Sequence, residues 1–222
     1  MVIRGSARVA CPACGAQHDG QLVQTINTQT NPKDKERLLA GELNVIDCAC
    51  GKRTQLAANL LFHDPDRHYY CQVVPGGERA MEEAAAAFAA SGVSGTLRLV
   101  PSLNALVEKV KLLDAGLEDW AIEMTKVLLL ASISPAGAGP SGSMLGSELD
   151  RVLLFDGVDR DAGTLHWVLF DEDGLSAEPV SSPLASYEKL AAREHGRPPA
   201  SELRIDRLWA VQAVQKMVAD AN

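Results

Sequence analysis

The hydrophobic pattern changes period several times along the chain, and each change marks a predicted element. Residues 21–27 carry β-branched and apolar side chains after Gly20 and read as a strand, and residues 43–47 read as another that runs straight into a cysteine pair. Between them the sequence predicts a small helix. Asn31 suits its N-cap, Pro32 its first position and Gly41 the left-handed residue that closes it, with Leu38 and Leu39 to dock it. Residues 69–74 read as a further strand, ended by Pro75, Gly76 and Gly77. Residues 78–90 have high helix propensity but only Met81 and Phe88 as large anchors, the pattern of a surface helix.

A strand over residues 96–100 leads to a helix capped by Ser102, whose Leu103, Leu106, Val107, Val110 and Leu113 share one face, and Gly116 ends it. Residues 117–130 form a second helix with a broad apolar face that includes Trp120, Met124, Val127 and Leu128. The Gly, Pro and Ser-rich stretch over residues 134–143 then breaks all periodicity and reads as a flexible connection. Beyond it, residues 151–155 and 164–170 read as a hairpin, and residues 183–194 and 201–219 as helices. The last has Ile205, Leu208, Val211, Val214 and Val218 on one side. The expected organisation is α+β: a first domain over residues 1–133, a linker over 134–147 and a second small α+β segment over 148–222.

Composition adds the class. With 46% apolar and 23% charged residues in 222, the chain can bury a core, and no apolar run reaches the roughly 20 residues of a membrane helix. Residues 1–6 lack a basic stretch followed by an apolar region, so a cytoplasmic location is expected. The net charge is −8, and residues 76–222 carry all of the excess acid. No block of Lys and Arg occurs, which disfavours nucleic acid as a partner.

All five cysteines, Cys11, Cys14, Cys48, Cys50 and Cys71, fall in the first third of the chain. Paired cysteines in a reducing compartment are metal ligands or redox pairs more often than disulfides. Cys11-Pro12-Ala13-Cys14-Gly15 has the form of a metal knuckle, and Cys48-Ala49-Cys50-Gly51 supplies a second half after 33 intervening residues. Together Cys11, Cys14, Cys48 and Cys50 predict a four-thiolate zinc site in a small zinc-ribbon-like β domain with helices. A redox dithiol at Cys11 and Cys14 is the competing reading, although residues 15–20 do not resemble the helix that follows a redox CxxC. Four thiolates close a zinc site to water, so the expected work of the metal is structural.

Cys11 to Gly15, Ile26-Asn27, Asn31-Pro32, residues 38–44, Cys48 to Gly51 and residues 60–65 together resemble the CpXC domain of bacteria and archaea. The resemblance runs over about residues 9–75 and more weakly to about 130. It implies a zinc-binding fold and no particular reaction. The second pair departs from the family's Cys-Pro-x-Cys-Gly: Asp47 stands at the first cysteine position and Cys48 comes one place late. The departure bears on ligation geometry, not on the number of ligands.

His63-Asp64-Pro65 could assist chemistry at a metal, but Asp-Pro also starts turns. His18 and His68 are substitute ligands, and Cys71, in an apolar strand, is a small buried hydrophobe. Asp156, Asp159 and Asp161 with Gly157 and Gly163 invite a calcium loop, but Phe170 stands where the twelfth-position Glu belongs, which leaves a hairpin turn. The sequence thus predicts a non-enzymatic, zinc-stabilised protein-interaction module, partnered by another protein and not by a membrane. The alternatives are a metal-dependent hydrolase or thiol redox enzyme using the cysteine pairs with His63 and Asp64, and nucleic-acid binding through the ribbon.

Overall fold

The computed structural model describes residues 3–133, 151–171, 176–193 and 196–220. They form six helices and eleven strands in several small sheets, the α+β class that the alternating periods predict. The chain divides into two compact units, Met1–Val107 with Ala200–Arg204, and Glu108–Pro199 with Ile205–Asn222.

In the first unit β1 (Arg4–Ala10) and β2 (Gln17–Val23) form an antiparallel hairpin. Then come β3 (Thr25–Asn27), α1 (Pro32–Leu39) and a second hairpin of β4 (Val45–Asp47) and β5 (Arg53–Gln55). β6 (Leu60–Asp64), β7 (Tyr69–Val73) and β8 (Thr96–Val100) join β3 in a four-stranded sheet of order β3-β6-β7-β8, with α2 (Gly77–Ser91) crossing between β7 and β8. Only the β6–β7 pairing is antiparallel. Period-two alternation buries Leu60 and Phe62 of β6 and Tyr69, Cys71 and Val73 of β7 on one face. Cys71, expected as a buried hydrophobe, is fully buried opposite Phe62. α2 docks through Met81 and Phe88, its two expected anchors, onto Val74 and Leu99. Residues 200–204 return to this unit, where Leu99 donates its N–H to the Leu203 carbonyl at 2.9 Å.

α3 (Leu103–Ala115) opens on Ser102, whose hydroxyl accepts from the Ala105 N–H at 3.2 Å, and from Glu108 onward it belongs to the second unit. There it is followed by α4 (Asp119–Ile133), the antiparallel meander β9 (Val152–Asp159), β10 (Thr164–Phe170) and β11 (Ala177–Pro183), α5 (Leu184–Ala191) and α6 (Arg207–Ala219). Trp120, Ile122 and Met124 of α4 pack with Phe155, Leu165 and Trp167 of the strands and with Tyr187 and Val214 of the last helices. This shared core is why the units do not divide at the linker expected over 134–147. The apolar face of α4 is completed by the C-terminal strands and helices. The expected linker, residues 134–147, lies outside the described residues.

Other expectations need adjusting. The strand foreseen over 21–27 is two strands, because Gln24 turns the chain from one sheet to another: its N–H donates to Ile3 and its carbonyl accepts from Leu61. Asn31 precedes α1 but makes no side-chain cap; its amide donates to Asp34 at 2.9 Å instead. The last helix starts at Arg207, not 201, where the Asp206 carboxylate caps the Trp209 N–H at 3.0 Å. Leu208 and Val218, expected on its buried side, are 60% and 49% exposed, and Leu128 of α4 is exposed as well. The Asp159 carboxylate closes the hairpin turn by accepting from Ala162 at 2.8 Å.

The second unit buries charge that its helical pattern conceals. Lys126 donates to Glu108 at 2.8 Å and to Glu123 at 3.0 Å, while Lys109 donates to Asp119 at 2.9 Å and to the Ile205 carbonyl at 2.7 Å. The second Glu108 oxygen accepts the Phe155 N–H at 2.6 Å, so the network ties α3 and α4 to β9 and to the chain entering α6. Burial raises the Glu123 carboxyl above its ordinary value; Lys126 and Lys109 oppose this and Glu108 reinforces it. A carboxyl raised in the folded state binds a proton on folding. Its contribution is present below the ordinary value of 4.5 and is lost as pH rises through the folded value. Glu123→Gln should therefore flatten the decline of unfolding free energy with rising pH, measured by urea denaturation at several pH values above 4.5. Equal slopes in the two proteins would contradict this account of the network.

Candidate metal centre

Both cysteine pairs sit in the turns of hairpins. Cys11 and Cys14 lie between β1 and β2, and Cys48 and Cys50 lie between β4 and β5. The two turns are built alike. The Cys11 N–H donates to the Ala16 carbonyl at 2.8 Å, and the Gly15 N–H returns to the Cys11 carbonyl at 2.9 Å. In the second turn the Cys48 N–H donates to Lys52 at 2.9 Å and the Gly51 N–H to Cys48 at 2.8 Å. Each pair is followed by a glycine with positive φ, 75° at Gly15 and 86° at Gly51, a conformation that side chains disfavour. The CxC turn is thus the CxxC turn shortened by one residue, which lets the Cys48 sulfur join the group from a position one place late.

The four sulfur atoms lie within 4.8 Å of one another. Two of the approaches cross between the hairpins: Cys11 to Cys50 at 3.7 Å and Cys14 to Cys48 at 3.5 Å. These are far beyond the roughly 2.05 Å of a disulfide. Cys11 and Cys48 are buried while Cys14 and Cys50 are exposed, so the cluster sits at the surface with two thiols beneath and two outside. The backbone amides of Ala13 and Cys14 bring the Cys11 thiol down to about 6. The Cys50 amide works to lower Cys48, but burial and the thiols of Cys14, Cys50 and Cys11 outweigh it and push Cys48 up to about 12. One proton leaves such a cluster readily and the next is resisted by the charge already formed. A cation at the centre removes that resistance, so four close thiols are a donor set able to hold a soft or borderline metal ion.

The cluster is placed by the segment that joins the hairpins. Asn44 adopts a left-handed conformation with φ 54° and is buried beside Leu43. Its side-chain oxygen accepts the Val23 N–H at 2.8 Å and its amide donates to the Val23 carbonyl at 3.0 Å, which pins the end of β2 to the entry of β4. Its own carbonyl accepts from Leu56 at 2.7 Å, beyond the end of β5. Sequence reading placed Asn44 inside a strand. The available signal was its residue type, since asparagine tolerates the left-handed region better than other side chains.

His63 and Asp64 do not join the cluster. His63 stacks on Tyr70, with ring centroids 4.1 Å apart, and its Nδ1 meets the Asn27 amide at 3.3 Å. Burial, reinforced by His68 and opposed by Asp64, lowers its pKa below the ordinary 6.5. Asp64 is buried and grips Arg67, accepting its guanidinium at 2.9 Å and its N–H at 3.3 Å, the turn role that Asp-Pro suggests. His68 is exposed in that turn. His18 lies on β2 opposite Val9 and lines a small gap beside Cys11 and Cys48, its Nε2 buried without a hydrogen-bond partner among the described residues. It stays outside the group of four donors.

The family model described as CpXC protein matches residues 9–126, more than half of the chain, and the chain belongs to that family. No curated protein and no solved structure matches it. The match spans both cysteine pairs, Asn44 and the four-stranded sheet. No helix among the described residues is long and apolar enough to cross a membrane.

Asn44→Ala should lower unfolding free energy by about 2–4 kcal/mol, since it leaves two buried backbone groups of Val23 unpaired and keeps the left-handed backbone. Urea denaturation measures it. A loss below about 1 kcal/mol would mean that water or another side chain takes over the clamp.

Proposed function

We propose that this CpXC protein is a non-enzymatic, zinc-stabilised module that acts by binding another protein. The observation that carries the reading is the convergence of four thiols from two hairpin turns. Zinc bound by four sulfurs at about 2.3 Å sets them about 3.8 Å apart, and the two crosswise approaches of 3.5 and 3.7 Å fit that tetrahedron. Cys11, Cys14, Cys48 and Cys50 would hold the ion. A set of this kind fills all four positions and leaves none for water, which separates it from hydrolytic zinc sites with three protein ligands. The ion would then serve as a crosslink between two small hairpins in a zinc-ribbon arrangement. Sheets of two strands are marginal in water, and metal binding contributes directly to folding in such domains. The acidic excess of residues 76–222 supports a protein partner rather than a nucleic acid. A cytoplasmic location keeps the thiols reduced and available to the metal.

A redox dithiol is the second reading, favoured by the Cys11 thiol near 6. One experiment separates the two. Protein purified without added metal should carry about one zinc per chain, with about four thiols becoming reactive on chelation and a lowered melting temperature. Cys14→Ser should lose most of the metal and melt earlier. Metal-free protein whose thiols oxidise reversibly without loss of stability would overturn the structural-zinc reading in favour of the redox one.

A further inference from the structure

The second unit holds a cleft of about 640 Å³ lined by α4, α5, α6, Arg193 and residues 196–199. Its volume falls within the range of small-molecule sites. Trp120 and Met124 of α4 and Trp209 and Met217 of α6 line it, and Pro198 and Pro199 form part of its wall. Gly196 lets that wall approach closely: a Cβ there would lie 3.2 Å from the Trp120 ring. Two indoles and two thioethers make an apolar, polarisable lining suited to an aliphatic or aromatic body.

Charge at this cleft runs against the chain as a whole. The protein carries 29 acidic and 21 basic residues, yet among the described residues the cleft is bordered by Arg193, Arg197 and Lys216 against one carboxylate, Asp220. Arg197 bonds Glu118 at 3.3 Å through one nitrogen of its fork. Arg193 and Lys216 make no ion pair among the described residues. All three basic side chains are exposed, so they can meet a charged group without prior burial.

We propose that this cleft binds a small organic monoanion, an apolar body bearing one carboxylate, with the body against Trp120, Met124, Trp209 and Met217 and the carboxylate between Arg193 and Lys216. Apolar lining supplies most of the contact and the basic residues select the charge. The cleft belongs to the second unit and the cysteine pairs to the first, so the proposal stands whether or not zinc is the metal at the cysteines.

The test titrates the full-length protein calorimetrically with three probes that share one body: octanoate, octanol and octylammonium. Octanoate should bind saturably and at least about ten-fold more tightly than octanol, with octylammonium weakest. Reversing the border charges in the double variant Arg193→Glu, Lys216→Glu should remove that preference while leaving octanol binding and the melting temperature unchanged. Both residues are exposed, so the variant should fold. A separate variant, Ala213→Phe, places a ring in the cleft and should weaken octanoate and octanol alike. Absence of saturable octanoate binding, equal binding of the three probes, or an octanoate preference that survives charge reversal would each overturn the proposal.

Discussion

The tips of two short hairpins come together at four cysteines, two from each turn. A two-stranded sheet cannot bury enough apolar surface to hold itself together in water. β1 shows the difficulty: its burial alternates only between exposed and half-buried, with no fully buried residue. What brings the turns together is four sulfurs within 4.8 Å, and four thiols that close carry an electrostatic conflict that a bound cation resolves. The spread between Cys11 at about 6 and Cys48 at about 12 expresses that conflict.

Placement of the cluster depends on residues that are not ligands. Asn44 locks the end of the first hairpin to the start of the second, and the 33-residue interval between the pairs holds β2, β3, α1 and β4. Gly15 and Gly51 let each turn fold back on the carbonyl of its first cysteine. The family match over residues 9–126 covers both cysteine pairs, α1 and Asn44, together with the sheet that carries His63 and Asp64. Those two residues are occupied by Asn27 and Tyr70 of that sheet and by Arg67 of the turn between β6 and β7.

Elements that advertise themselves by local chemistry were legible in the sequence. The Pro32 start and Gly41 close of α1, the strand Thr96–Val100 and the metal-ligand spacing all rest on residue types whose preferences are local. The rest depended on partners distant in the chain. β1 lacks an apolar face because it is paired at the surface, and β11, with two prolines, lies at a sheet edge, where proline is tolerated. Glu108, Lys109, Glu123 and Lys126 carry no local sign of burial, yet they are buried because each finds a charged or backbone partner from another element. The division of the chain followed the same logic: α4 joined the C-terminal strands because its broad apolar face is completed there.

The central claim is a closed zinc site of four sulfurs, and X-ray absorption at the zinc edge of protein purified without added metal tests it most directly. The account predicts a single shell of four sulfur scatterers at about 2.3 Å. A shell containing nitrogen or oxygen at about 2.0–2.2 Å, with three sulfurs or fewer, would contradict it and point to an open site with room for water.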